Sequence, residues 1–295
     1  MHTLKLDEFI MLNKLEMPNP IIFEKLVNDL SFYKDEEGEI GNVNYERGIL
    51  LYGLIKKFKP KNILEFGTAK GFGTLSMAYA AHENNNNSKI FTIDLIGHTE
   101  SIEHVRKVSN SYEKTKTTRK KLWTDMVPTE WLDSVKFIHG HSGTIVKQYD
   151  LPKIDFFYID ASHFYEAIKN DFFISLLFSN DTSVFLLDDY IDREHFGVKK
   201  IIDNEISKYV DISLIKTDKT NYHNKNSTTE SDYGMCFFKA EKQKMIDAFD
   251  EQEIKSYIKK YSMFEKRYAM RKKLNKRIPF LEKIRFRNIL HLNNK

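Results

Sequence analysis

The sequence predicts a doubly wound α/β fold on a mostly parallel, seven-stranded sheet, and three observations carry that prediction. Seven short apolar runs bounded by turn residues recur at 62–66, 90–93, 135–138, 154–159, 183–187, 212–215 and 235–238. Helix-like stretches lie between several of them, notably 73–83, 165–178 and 198–209. Finally, 295 residues with 41% hydrophobic and 30% charged side chains suffice for one large domain with a sizeable core.

Taken in order, residues 1–44 read as a helical N-terminal segment holding one or two short helices and an acidic loop at 35–39. A clear helix follows over 43–57, where Ile49, Leu50, Tyr52, Leu54 and Ile55 are spaced for burial, and Pro60 ends it. Residues 45–240 form the predicted α/β domain. Inside it, 95–132 is long for a link between strands and carries Arg119-Lys120-Lys121, Trp123 and Trp131. It reads either as a substrate-binding lid or as an ordinary crossover helix with a surface loop. Residues 241–295 form a basic helical extension with 16 Lys and Arg against 7 Asp and Glu, so the remaining 240 residues carry 30 against 35.

The single cysteine, Cys236, lies in an apolar run and reads as a buried strand residue. With no disulfide, no apolar leader and no run long enough to span a bilayer, a cytoplasmic location is expected.

Chemistry concentrates at the strand ends. The first predicted strand runs into Glu65-Phe66-Gly67-Thr68-Ala69-Lys70-Gly71-Phe72-Gly73-Thr74 and then a helix. Gly67 and Gly71 let the backbone approach a ligand lying across the strand ends. A phosphate loop would want Gly-Lys-Ser/Thr, which is missing, and Glu65 would repel phosphate but suit a cationic amino-acid ligand. About 20 residues on, Asp94 ends the next strand, placed to accept hydrogen bonds from two ribose hydroxyls. Together Glu65, Gly67, Thr68, Gly71, Thr74 and Asp94 resemble the S-adenosylmethionine site of class I methyltransferases, a Rossmann-like fold. In that fold His141 and Ser142, after the third strand, lie beside the adenine. The alternatives are a glycine turn that only packs helix on sheet, and a nicotinamide dinucleotide site. The latter is disfavoured because Ala69 stands where the second glycine would admit the pyrophosphate.

The second constellation is acidic. One strand ends at Asp160, followed by His163, Tyr165 and Glu166, and its predicted neighbour ends in Asp188-Asp189-Tyr190. Neighbouring strand ends lie about 5 Å apart, so three carboxylates converge. A divalent cation is the usual resolution, and all-oxygen ligands suit magnesium, calcium or manganese. Alternatively, Asp188 or Asp189 caps a helix and His163 is a structural histidine. The pattern Ile-Asp-x-x-His-x-Tyr-Glu followed by Asp-Asp-Tyr resembles the Methyltransferase-24-like bacterial family that includes macrolide-sugar and rhamnosyl O-methyltransferases. Its placement also resembles catechol O-methyltransferase. The resemblance covers residues 45–239 and implies Asp160, Asp188 and Asp189 as metal ligands, magnesium foremost, with His163 as general base and Asp160 also catalytic. A glycine pair usual before the Asp-Asp strand is replaced here by Ser179-Asn180-Asp181-Thr182-Ser183.

The expected reaction is methyl transfer to a hydroxyl of a small molecule, a sugar or a glycan, with catechol-like acceptors next. A non-catalytic donor-binding scaffold and a dinucleotide oxidoreductase are the competing readings. Between 255 and 287 lie 13 basic residues against Glu265 and Glu282, interleaved with Tyr257, Tyr261, Phe264, Tyr268, Phe280 and Phe286. That tail suits an anionic surface, nucleic acid or a phosphate-bearing glycan, or is a solvated helix packed on the body or on a second subunit in a homodimer. Nucleic acid is disfavoured, since no Asn/Asp-Pro-Pro-Tyr motif occurs and the acidic edge repels phosphates.

Overall fold

A computed structural model describes residues 1–34, 38–145, 148–192, 197–217 and 234–277, the side chains of 272–277 excepted. The predicted acidic residues Asp35, Glu36 and Glu37, and the tail beyond residue 277 with Glu282, Phe280 and Phe286, lie outside these residues.

The central sheet has eight strands: β1 (His2–Lys5), β2 (Asn62–Phe66), β3 (Lys89–Asp94), β4 (Val135–His139), β5 (Ile154–Ile159), β6 (Ser179–Tyr190), β7 (Ser213–Lys216) and β8 (Gly234–Glu241). Their order across the sheet is β1-β7-β8-β6-β5-β2-β3-β4. Within this sheet, among the described strands, only β8 runs antiparallel to its neighbours. The seven predicted strands are all present. The eighth, β1, pairs parallel with β7 and comes from a segment whose sequence reads as helical. His2-Thr3-Leu4-Lys5 is too short for a periodicity to show, so pairing to a distant edge decides its conformation.

The sheet alternates between two cores along the middle of its strands. Phe156 and Tyr158 of β5 face one side with Ile63, Leu186 and Met235, while Phe157 and Ile159 face the other with Leu64, Phe185 and Phe238. This is the period of two expected of strands buried on both faces. Helices α1 (Leu6–Asn13), α2 (Pro20–Leu30), α3 (Glu46–Phe58), α4 (Phe72–Asn84) and α5 (Arg119–Met126) supply Phe9, Leu26, Leu51, Leu75 and Trp123 to the first core. Helices α6 (Tyr165–Phe178), α7 (Gly197–Asn204), α8 (Lys242–Phe249) and α9 (Glu251–Arg277) supply Phe172, Ile201, Met245 and Ile258 to the second. Cys236 is buried in that second core, as its apolar neighbours predict. No helix among the described residues is long and apolar enough to cross a membrane.

Two antiparallel hairpins lie outside the sheet. One joins Phe32–Lys34 to Ile40–Asn42, and the other joins Ser101–Val108 to Ser111–Thr118. The second fills much of the long 95–132 link, and α5 returns from it to the sheet edge.

The chain leaves β2 towards β3 and β4 on one side, then crosses back to lay β5 and β6 on the other. The crevice therefore opens between β2 and β5, where the Asp160 amide donates to the Phe66 carbonyl at 2.9 Å. In open α/β sheets, ligands bind at that switch point, off the carboxyl ends of the strands.

Candidate active site

The predicted residues sit at strand ends, in the turns that follow them, or, for Thr74 and Ser142, in the first turn of the next helix. Glu65 is buried beneath the glycine turn, and its Oε2 accepts from the Thr92 hydroxyl at 2.6 Å and from the Thr74 hydroxyl. Burial pushes its pKa up to about 7, against the pull of those two hydroxyls. Gly67 has φ +91°, and a Cβ there would overlap the Asp160 carbonyl oxygen and stand 2.7 Å from Ala161 Cα. Gly71, with φ +100°, leaves room for the Trp123 indole, whose Nε1 donates to the Lys70 carbonyl at 2.7 Å. The glycines thus serve close packing as well as the turn itself.

Asp94 ends β3 beside this loop, as the sequence predicts. Its Oδ2 accepts from the amides of Thr68 (3.2 Å) and Ala69 (2.7 Å), and its Oδ1 from that of Ile96 (2.7 Å). Arg119 completes the arrangement. It is fully buried, donates to the Ala69 carbonyl (2.6 Å) and the Ile96 carbonyl (2.8 Å), and forms an ion pair with Asp94 at 3.1 Å. Nη2 of that pair makes no well-directed hydrogen bond, so charge attraction carries the contact. Asp94 thus holds the glycine loop and the start of the chain beyond β3.

His141 and Ser142 are brought elsewhere. The His141 ring meets Glu265 of α9 at 3.0 Å, and the Ser142 hydroxyl donates to Asp171 of α6. Their side chains serve the seat of the C-terminal helix, where the sequence predicts an adenine contact. Burial is the leading cause that raises Asp171 to about 7, with the Glu265 charge adding and the Ser142 and Asn170 hydrogen bonds opposing. An acid raised in the fold costs nothing below its unfolded value near 3.9, and its penalty grows to full size as pH rises past about 7. Asp171→Asn is therefore expected to stabilise the protein at pH 8 by on the order of 3 kcal/mol and to change nothing near pH 3.5. Denaturant melts at both values check this, and equal curves at pH 8 would contradict it.

The acidic residues do converge, but on an arginine. Arg47, in the first turn of α3, places Nη1 2.5 Å from Asp160 Oδ2 and 2.6 Å from Asp188 Oδ2. The Tyr158 hydroxyl lies 3.0 Å from the same two oxygens. Asp189 turns away: β6 has a register irregularity between Leu187 and Tyr190, and Asp189 takes φ +61°. A bulge of this kind re-aims a side chain. The Asp189 carboxylate meets His163 Nδ1 at 2.6 Å. Burial pulls the His163 imidazole pKa down, yet the bond to Asp189 and the other two carboxylates raise it overall. Asp160, Asp188 and Asp189 were expected as one metal-binding set. No group of three His, Cys, Asp or Glu among the described residues is arranged to hold a metal ion. The donor set as it stands does not fit a divalent cation, because a guanidinium nitrogen takes its place between two of the three carboxylates.

A cavity of about 240 Å³ joins the two constellations. Glu65, Gly67, Arg47 and Asp160 line its floor at the strand ends, and Phe32 and Tyr33 of the first hairpin line it too. The N-terminal segment is thus a wall of the site. Lys70 of the glycine loop donates to the Phe32 carbonyl and fastens it there.

Sequence reasoning missed Arg47, Tyr158 and Arg119. Tyr158 had a signal, because it sits two residues before Asp160 and therefore on the same strand face. Arg47 had a weaker one, a charge one turn before Leu50 and Leu51 on a helix otherwise spaced for burial. Arg119 had none, since it stands in a basic run whose Lys120 and Lys121 are exposed.

None of the curated protein sequences matches the chain. A family model described as a methyltransferase domain matches residues 64–190. Among solved structures, the O-methyltransferase TomG from Streptomyces achromogenes, in complex with SAM, is similar at 16% identity and TM-score 0.48, over 78% of this chain and 93% of its own. The O-methyltransferase from Bacillus cereus in complex with SAH is similar at 14% identity and TM-score 0.49, over 79% of this chain and 96% of its own.

Proposed function

We propose that this protein is a class I S-adenosylmethionine-dependent methyltransferase that methylates a hydroxyl of a sugar, a glycan or a glycosylated metabolite, a reading supported by the match of residues 64–190 to a methyltransferase-domain model. The observation that carries the choice of oxygen is the His163–Asp189 pair at 2.6 Å, at the strand end next to Asp160. An amine acceptor needs less help in losing its proton, whereas a hydroxyl needs a positioned base.

The cavity fits the cofactor at its floor. Gly67 and Thr68 of the glycine turn line it, and Glu65 supplies a buried carboxylate for a cationic amino group. When bound, S-adenosylmethionine supplies an activated methyl carbon. The chain's own work is to align and to remove a proton. Asp94 holds the amides of Thr68 and Ala69, and so fixes the loop that would carry the cofactor. Asp160 lines the cavity and would orient the acceptor hydroxyl. His163, gripped through Nδ1, would take that proton at Nε2 as the new oxygen–carbon bond forms and the sulfur–carbon bond breaks.

The aliphatic and aromatic wall, Leu30, Phe32, Tyr33 and Val43, suits the apolar face of a sugar ring. The same wall favours an aromatic hydroxyl as the second reading. Calorimetric titration with S-adenosylhomocysteine, followed by transfer of labelled methyl to panels of sugar and phenol acceptors, tests both. Micromolar binding and label that survives alkali, as an ether does, are expected. Absence of binding sinks the activity, and label on nitrogen sinks the choice of oxygen.

A further inference from the structure

We infer that Arg47 is a built-in counter-charge that stands in place of a divalent cation, so the acceptor side of this site is organised without metal. The inference deepens the reading above, yet its test needs no turnover.

The geometry is specific. Two carboxylate oxygens from different strands point at one guanidinium nitrogen, 2.5 and 2.6 Å away. Divalent cations sit about 2.0 to 2.6 Å from such oxygens, so ion and nitrogen compete for one position. The environment is closed. The Asp188 side chain is fully buried, and those of Arg47 and Asp160 are 12% and 18% exposed. In such surroundings two carboxylates require a positive partner, and a second cation beside the guanidinium would be repelled. Tyr158 lies at hydrogen-bond distance from the same two oxygens. Asp189, the remaining acid of the predicted set, is committed to His163.

Arg47 also lies outside the matched segment 64–190, on the helix that precedes β2. The charge reaches the strand ends from a different part of the chain than the acids do. Arg47 touches Asp160, which lines the cavity, and so acts as a positioning residue, setting the carboxylate that faces the acceptor.

The test is Mn²⁺ binding by the purified full chain, read from the loss of the free-ion electron paramagnetic resonance signal. Wild type is expected to bind no Mn²⁺ at this site below about 1 mM, while Arg47→Ala gains affinity at least about tenfold and loses it again when Asp188→Asn is added. Arg47→Lys, which restores the charge, is expected to behave as wild type. Circular dichroism establishes that each variant is folded. A folded Arg47→Ala that gains no affinity overturns the proposal, as does an Arg47→Lys that binds like Arg47→Ala. Should Arg47→Ala not fold, the wild type decides. Binding tighter than about 100 μM that Asp188→Asn abolishes refutes the assignment, and its absence upholds it. Titration with S-adenosylhomocysteine, run in parallel with and without chelator, reports on the donor site separately. Failure there counts against the methyltransfer reading and leaves the Arg47 result standing.

Discussion

Gly67→Ala is expected to abolish measurable binding of S-adenosylhomocysteine and to destabilise the protein by more than about 3 kcal/mol. Two costs add. A left-handed backbone, here φ +91°, costs an alanine roughly 1 kcal/mol that glycine escapes. The larger cost is steric, because the new methyl group would overlap the Asp160 carbonyl oxygen and press on Ala161 Cα. These are backbone atoms at the end of β5, and the Asp160 amide is itself bonded to Phe66 of β2. No side-chain rotation relieves the clash, so the crevice must open and carry Asp160 away from Arg47. Calorimetry and a denaturant melt read the two effects. Binding within threefold of wild type would show that the loop does not approach its ligand as described.

The second large effect is on turnover alone. His163→Ala is expected to lower kcat by about 10²- to 10⁴-fold while S-adenosylhomocysteine binding stays within about twofold, because a positioned base contributes on that scale and His163 does not line the floor that would hold the donor. Asp189→Asn removes the charge that grips the imidazole and is expected to produce a smaller loss in the same direction. A His163→Ala enzyme with a normal rate would return the histidine to a structural role and leave proton removal to solvent or to Asp160.

Much of this architecture was legible because it rests on short-range pattern. Strands buried on both faces announce themselves as apolar runs, and a strand–glycine–helix turn fixes where Glu65, Gly67 and Asp94 must lie. Long-range partners left weaker marks or none. Nothing in His2–Lys5 points to Ser213–Lys216 across the sheet. Nothing in the 95–132 link separates buried Arg119 from the two exposed lysines beside it. The acids at 160, 188 and 189 were found, but the arginine that pairs with two of them stands over 100 positions upstream, where nothing beside it points to them. The His141 ring pairs with Glu265, one of few acids in a basic tail, and nothing in the local sequence marks that partner.

The pairing of β1 with β7 sets a schedule for synthesis. The ribosome finishes β1 about 200 residues before its partner, and at roughly 5 to 20 residues per second that interval lasts about 10 to 40 seconds. Throughout it the first strand has no neighbour on this edge, and the hairpin that walls the cavity hangs from a segment not yet anchored at its start. The nascent chain can therefore build the donor loop early, but the anchoring of the segment before the hairpin waits for β7. Substitutions in β7 are expected to act on the yield of folded protein before they act on the chemistry.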